Sequence, residues 1–433
     1  MSQVSVSVSD ITLNMMKKRV LFTAENGEQE TPLDAYERVA NFVYQGHKTY
    51  STESEAGKFR DRAIEYMAEG MFMPNTPTLV NAGFPDAQCS ACFVLPIDDN
   101  LKSIYQAHND QGLIQASGGG TGFFLGNIRS AGTKAADRFI TRGPINWLRM
   151  LNENACHVAQ GMREGANMAI LDVGHPDIVD FITCKNKGYN LSAEILSEQF
   201  GISLEEAKTL KAIIGIEKFN ISVSITNQFM KVLENGNDWY FIDPHTKQKT
   251  GSMPSQEIWD LIVENAWANG EPGIFFEDTA NRDNYLSHIG RIKSTNPCGE
   301  LPLLPYAACT LGHINLSKFV TGTNGSSQVD WSELEEEIRF GVNFLDNIVE
   351  MNTFPIKELT EMNNNTRDIG VGIMGWADML AIIGIPYDSN EAIDLANDIG
   401  THFKKTSDDE SARLGQDRGN FPYFEGSSFH RDG

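Results

Sequence analysis

Asn296–Phe319 reads NPCGELPLLPYAACTLGHINLSKF, a stretch framed by two thiols, Cys298 and Cys309. In Asn296-Pro297-Cys298-Gly299-Glu300 the first thiol is flanked, two residues away on either side, by an amide and a carboxylate. Pro297 restricts Asn296 to extended geometry and Gly299 frees the backbone, so a tight loop presenting all three side chains together is expected. The plain alternative is a buried cysteine in a turn beside a solvated glutamate, and NPCGE alone does not choose between them. Cys309, in Tyr306-Ala307-Ala308-Cys309-Thr310, is followed by the apolar, strand-like Ile314–Val320. It suits either a core position or a second reactive thiol.

Outward from this stretch, strand-like and helix-like segments alternate. Met168–Val173, Phe219–Ile225, Gly273–Phe276 and Ile369–Met374 read as strands, and Ser255–Asn269 and Ser332–Met351 as helices. Ser332 and Glu335 have capping-box spacing. Such alternation predicts an α/β fold with largely parallel strands. Near the N-terminus Phe59, Ala63, Ile64, Met67 and Phe72 recur at helical spacing, which predicts a helical cap over residues 1–74 ahead of the α/β body at 75–433. Thr321–Gln328 (TGTNGSSQ) reads as a loop.

Composition narrows the function classes. Hydrophobic content of 41% and charged content of 21% in 433 residues are those of a chain that folds around a sizeable core. A net charge of −23 repels a polyanion and argues against a nucleic-acid-coating surface. No apolar run approaches the ~20 residues of a membrane span, and Met1–Met15 lacks the order of a signal peptide, so a cytoplasmic protein is expected. Six scattered cysteines are too few for a disulfide framework. Any that function do so by reactivity or metal binding.

Three further motifs carry polar or permissive groups. Cys89-Ser90-Ala91-Cys92 is a CxxC pair; with no second pair at zinc-finger spacing, a redox role is the stronger reading and no metal is expected. Ser117-Gly118-Gly119-Gly120-Thr121-Gly122 lacks the lysine of a phosphate loop; its glycines permit either close backbone approach to a ligand or a tight turn before Phe123. Asn75-Thr76-Pro77-Thr78 offers hydroxyls beside a rigid turn and reads as a loop.

Taken together, NTPTLVNAG (Asn75–Gly83), SACFVLPI (Ser90–Ile97), SGGGTGF (Ser117–Phe123), GANMAILDVGHPDIVDFI (Gly165–Ile182), the Asn296–Phe319 stretch and NTRDIGVGIMGWADML (Asn365–Leu380) resemble, in this order, the ribonucleotide reductases. The resemblance runs from about Thr31 to the C-terminus, and NPCGE with GANM and HPDI is similar to the adenosylcobalamin-dependent class. It implies a ten-stranded α/β barrel with an N-terminal helical cap and a central loop carrying a radical cysteine.

That cysteine would be Cys298, with Glu300 as general base and Asn296 orienting the sugar. Cys92 and Cys309 would be the redox pair, with Cys89 near enough to be the alternative to Cys92. Thr78, Ala91 and Gly119 match substrate-side positions. The resemblance further implies a ribonucleotide substrate, adenosylcobalamin, a thioredoxin-like or dithiol reductant, and a homodimer. A deoxynucleoside triphosphate or ATP effector would bind near Ala131–Arg142 and Gln160–Gly165, where Arg129, Lys134, Arg142 and Arg163 could meet phosphates. Rival readings are a large subunit served by a separate radical-generating subunit, and a non-catalytic nucleotide-binding homologue.

RGNFP and SSF, at Arg418–Pro422 and Ser427–Phe429, precede further strands and a phosphate-binding loop in relatives. The expectation is that the C-terminal strands lie outside this chain and that a second polypeptide completes the barrel.

Overall fold

Strands buried on both faces require near-continuous apolar runs, and this chain supplies several. The computed structural model describes residues 6, 8–136, 139–160, 163–185, 193–207, 215–322 and 327–432. Its principal strands, in chain order, are β1 (Phe72–Pro74), β2 (Cys92–Leu95), β3 (Gly120–Phe124), β4 (Asn167–Asp172), β5 (Asn220–Ile225), β6 (Gly273–Phe276), β7 (Ala308–Asn315) and β8 (Ile369–Met374). Two units form, one of Met1–Ala91 with Ala308–Glu425, the other of Cys92–Ala307 with Gly426–Gly433.

In the second unit β2 to β6 pair in sequence order and all in parallel, with Cys92 opposite Gly120, Thr121 opposite Asn167, Met168 opposite Asn220 and Ser222 opposite Gly273. Helices Leu101–Ala116, Pro144–His157 and Ser255–Asn269 lie in the connections that parallel pairing demands. The expected strands at Met168–Val173, Phe219–Ile225 and Gly273–Phe276 are present within one residue, as is the helix Ser255–Asn269.

The first unit holds helices Asp10–Arg19, Pro32–Lys48 and Glu53–Glu69, then Trp331–Met351 and Asn390–Arg418 after the return of the chain. Thr31 and Thr52 each close a capping box with Asp34 and Glu55, which sets the starts of two helices. Phe72, expected on a helical face, instead opens β1, because Gly70 (φ +69°) ends the helix in the left-handed region. β7 pairs antiparallel with β1 and parallel with β8.

Four other expectations shift. The strand expected at Ile314–Val320 begins earlier, at Ala308, and gives way to a 3-10 turn at Leu316–Lys318. The long helix is capped by Asp330, which accepts from Glu333 N, and Glu335 pairs with Arg339 at 2.8 Å rather than closing a box with Ser332. Asn75–Thr78 is no loop: Asn75 caps a short helix, Thr76–Asn81, with Pro77 in its first turn. The ends of the expected Thr321–Gln328 loop pair as a two-residue hairpin, and 323–326 lie outside the described residues. The described residues also do not give the ten-strand count: five parallel strands lie in one unit and β1, β7 and β8 in the other.

Two arginines of the resemblance motifs, Arg367 and Arg418, converge on Asp346 of the long helix. Arg367 reaches Asp346 at 2.9 Å and Glu350 at 3.1 Å, while Arg418 pairs with Asp346 and donates to Asn343 Oδ1 at 2.8 Å. Buried ion pairs hold only when the charges are matched and hydrogen-bonded, as here.

Glu337, on the same helix, has no such match. It is fully buried and neither carboxyl oxygen has a hydrogen-bond partner. Burial pushes its pKa from 4.5 up to about 9, against the pull of Arg62. The folded chain therefore keeps a proton that the unfolded chain releases, so this group's contribution to stability falls as pH rises from 4.5 to about 9. Glu337→Gln should raise the melting temperature by about 2–6 °C at pH 8.5 and change it little at pH 5. Equal gains at both pH values in a thermal scan would refute the assignment.

Candidate active-site loop

The segment that carries Cys298 is built as a staple over β3. Ser294–Thr295 pairs antiparallel with Pro302–Leu303, and residues 296–301 form the turn between them. Asn296 closes it: its N–H donates to Leu301 O and its Oδ1 accepts from Leu301 N, both at 3.0 Å. Gly299, at φ +86°, donates its N–H to Asn296 O at 3.1 Å, a conformation that suits glycine.

Beneath the staple lie the glycines. A Cβ on Gly122 would sit 1.8 Å from Thr295 O, and one on Gly120 would sit 2.6 Å from Pro297 Cγ. In the SGGGTG run the expected turn is made at Ser117–Gly118, with Gly118 at φ +85°, and Gly120 and Gly122 clear the face of β3 for the loop. Gly119 packs elsewhere, its missing Cβ lying 2.5 Å from Phe93 Cε2.

At the root, Glu277 is 1% exposed and accepts from Arg291 Nε at 2.7 Å, Lys293 Nζ at 2.6 Å and Ser224 Oγ at 3.0 Å. Asn281 adds a reciprocal pair with the backbone of Ile292. None of these residues was singled out in sequence; Arg291 and Lys293, alternating ahead of NPCGE, were the available signal.

Cys298, Gly299 and Glu300 are exposed, so the thiol and carboxylate stand together on the open side of the loop. Asn296 is fully buried and donates Nδ2–H to Cys92 Sγ at 3.2 Å. One N–H and one lone pair of its amide are used inside the protein, where it holds the loop and meets the Cys92 thiol.

All six cysteines are thiols. Cys92 opens β2, whereas Cys89 is fully buried in the hydrophobic core of the first unit, where burial pushes its pKa up to about 12. Cys309 is buried in β7 of the first unit. Thr78 and Ala91 belong to that unit as well; Thr78 is buried and donates its hydroxyl to Cys89 O at 3.2 Å.

The expected effector segment at 131–142 carries a short hairpin, Lys134–Ala136 with Phe139–Ile140. The HPDI motif fastens its entry: His175 Nε2–H donates to Ile128 O at 2.8 Å, and Asp177 accepts from Ala131 N at 2.8 Å. Asp177 N donates to His175 Nδ1, and burial holds this imidazole below its ordinary pKa, hence neutral. Arg129 is committed to Asp99 at 2.5 Å, while Lys134 and Arg142 are exposed. Residues 137–138 and 161–162, and the Arg163 side chain, lie outside the described residues.

Sequence comparison agrees with this geometry. The family pattern described as "Ribonucleotide reductase, barrel domain" matches residues 90–433, and "Ribonucleotide reductase, all-alpha domain" matches 7–87. The chain belongs to the ribonucleotide reductase family. A vitamin B12-dependent ribonucleoside-diphosphate reductase of Mycobacterium tuberculosis (strain CDC 1551 / Oshkosh) is 37% identical over 434 residues, covering 100% of this chain and 58% of the relative. A protein of the same description from Thermoplasma acidophilum is 37% identical over 382 residues, 88% of this chain and 46% of the relative. A vitamin B12-dependent ribonucleotide reductase of Streptomyces clavuligerus is 28% identical, covering 85% and 38%. The chain thus spans about half the length of these curated relatives. No described helix is long and apolar enough to cross a membrane.

The close approach at Gly122 makes a direct test. Gly122→Ala must displace a backbone carbonyl and should destabilise the chain by about 2–4 kcal/mol in denaturant titration. Gly112→Ala, on a helix with its nearest atom at 3.9 Å, should be neutral or stabilise by up to about 1 kcal/mol. Equal effects of the two would show that the loop does not rest on β3.

Proposed function

We propose that this chain carries the chemistry of ribonucleotide reduction, the replacement of a 2′-hydroxyl by hydrogen. The observation that carries the reading is the Asn296–Cys92 contact at 3.2 Å, which ties the loop bearing Cys298 and Glu300 to a second thiol. Cys298, as a thiyl radical, takes the hydrogen at C3′; S–H and activated C–H bonds are close enough in strength for this to be reversible. Glu300 accepts the 3′-OH proton and later returns it, and the 2′-hydroxyl leaves as water after taking a proton from one thiol of the pair. In all, Cys92 and Cys309 supply two electrons and two protons as they become a disulfide, one proton leaving in the water and the other ending at C2′, and a thioredoxin-like or small dithiol reductant restores them. Cys92 is favoured over Cys89 because the latter thiol is sealed in an apolar core with its proton tightly held. Asn296 orients the sugar by hydrogen bonding from the base of the loop it closes; Thr78, Ala91 and Gly119 are the proposed substrate-side positions.

The relatives' names favour a ribonucleoside diphosphate as substrate and adenosylcobalamin as cofactor. When bound, that cofactor supplies one-electron, hydrogen-abstracting chemistry. The exposed face of Cys298, Gly299 and Glu300 is compatible with a group delivered from outside the loop. A deoxynucleoside triphosphate or ATP effector would meet Lys134 and Arg142.

We read residues 1–74 as the helical cap and 75–433 as the ten-stranded barrel's portion in this chain, with a second polypeptide supplying the remaining strands and phosphate loop. The edge of β8 supports this: among the described residues it pairs only with β7, and Ile373 and Met374 are 47% and 37% exposed. An apolar parallel strand open on one side is a template for another strand. A cytoplasmic homodimer completes the proposal.

Mixed with a polypeptide carrying the remaining barrel segment, the chain should reduce a ribonucleoside diphosphate only when adenosylcobalamin and a dithiol are present. Cys298→Ser should abolish product while nucleotide affinity stays within about twofold, because the thiol acts in the chemical step. Substantial turnover by that variant sinks the radical assignment. Turnover that ignores cobalamin but needs a metal-containing radical subunit favours the rival class, and full activity from this chain alone removes the second polypeptide.

Multiple turnover with ordinary dithiols should stop in Cys92→Ser and Cys309→Ser and persist in Cys89→Ser. The reverse pattern for Cys89 and Cys92 would exchange their roles.

A further inference from the structure

The turn that presents Cys298 is closed at its base by Asn296, and the Gly299 N–H bond to Asn296 O spans Pro297 and Cys298. The peptide between those two residues is also held from outside. Asn220, the first residue of β5, donates Nδ2–H to Pro297 O at 2.9 Å, in a part-buried contact across 77 positions of sequence. The carbonyl can only accept, so the amide nitrogen is the group that faces it. Pro297 itself rests on Gly120, with 2.6 Å from its Cγ to where a Cβ would stand, and Gly299 lies 3.9 Å from Met168 Cε by the same measure. Three adjacent strands thus meet the tip: β3 under the proline ring, β4 beside Gly299 and β5 on the carbonyl.

We propose that Asn220 is a positioning residue for the Cys298 thiol, acting through the Pro297 carbonyl; this deepens the reading of Cys298 as the reacting group and rests on it. The direction of the Cys298 side chain follows the orientation of the peptide plane before it. Pro297 has a fixed φ but a free ψ, and rotation about that bond swings this carbonyl and the Cys298 N–H together. The Asn220 amide restrains that rotation from outside the turn. Two neighbours also set Asn220 in place: it begins the strand that pairs with Met168, and the preceding Lys218 is pinned by Asn152 Oδ1 to its N–H at 2.9 Å and by Asn167 Nδ2 to its carbonyl at 2.8 Å. The anchor is therefore itself anchored.

The test compares Asn220→Ala with Asn220→Asp. The aspartate keeps the shape, but its ionised carboxylate cannot donate and repels the carbonyl, so a donor role predicts that both variants lose function and a packing role predicts that Asp retains it. In the chain alone, amide exchange at Cys298 and Gly299 should quicken about fivefold in both variants, the worth of one hydrogen bond. The alkylation rate of Cys298, read by peptide mass spectrometry, should change by at least about threefold, while the alkylation rate of Cys156 and the melting temperature stay as they were. In the complemented enzyme kcat should fall by about tenfold to hundredfold with KM within about twofold, as misplacement of a reacting group demands.

If Asn220→Asp matches the native chain in exchange and alkylation, the proposal fails, whatever the activity. If both variants alter the loop yet turnover is unchanged, the bond does not serve the reaction and the proposal likewise fails. Failure of the Cys298 reading is seen separately, as turnover by Cys298→Ser.

Discussion

Backbone lying directly on backbone is the constraint from which the rest of the unit carrying Cys298 follows. The Thr295–Pro297 segment crosses the face of β3, and at Gly122 the separation leaves 1.8 Å between a would-be Cβ and Thr295 O. No side chain larger than hydrogen fits such a gap, so β3 must be glycine at both Gly120 and Gly122. Once the segment lies there, its flanks can pair as Ser294–Thr295 with Pro302–Leu303, and residues 296–301 have only a tight turn available. The exposed thiol of Cys298 is thus a product of what β3 lacks.

Charge distribution supports the same staple from its root. A carboxylate as buried as Glu277 would be costly alone, and three donors, Arg291, Lys293 and Ser224, offset that cost. Two of the three lie on the segment leading to the loop, so breaking them would both free the segment and strand a charge. The turn is closed by Asn296, bonded twice to Leu301 and once to Gly299, and Asn220 adds a bond to the Pro297 carbonyl from β5.

The cysteines show how surroundings divide identical side chains. Cys89 and Cys92 are three positions apart, yet the first joins a core of Phe72, Leu79 and Phe344 while the second receives a hydrogen bond from Asn296. Burial raises the Cys89 pKa and quiets the thiol even though Thr78 and Ala87 O lie beside it. Glu337 follows the same rule: burial outweighs the pull of Arg62 and Tyr66, and the proton is retained.

Much of this was legible in the sequence. The apolar runs located β4, β5, β6 and β8 and the helix Ser255–Asn269 almost to the residue, most plainly in β4 and β5, where burial on both faces leaves its mark in composition. The tight loop at NPCGE followed from a proline before and a glycine after one thiol. Local capping was less legible: Asp330 took the role expected of Ser332, and Asn75 began a helix where a loop was expected, since several polar residues in a row can each serve as cap. What the tertiary structure alone decided were the contacts between residues far apart in sequence. Asn296 turned inward to Cys92, Asn220 reached Pro297, Glu277 gathered Arg291 and Lys293, and Gly120 and Gly122 became a platform for the loop. Periodicity records which side of a strand is buried, but not which distant segment buries it, and the partner of each polar group in this site is a distant segment.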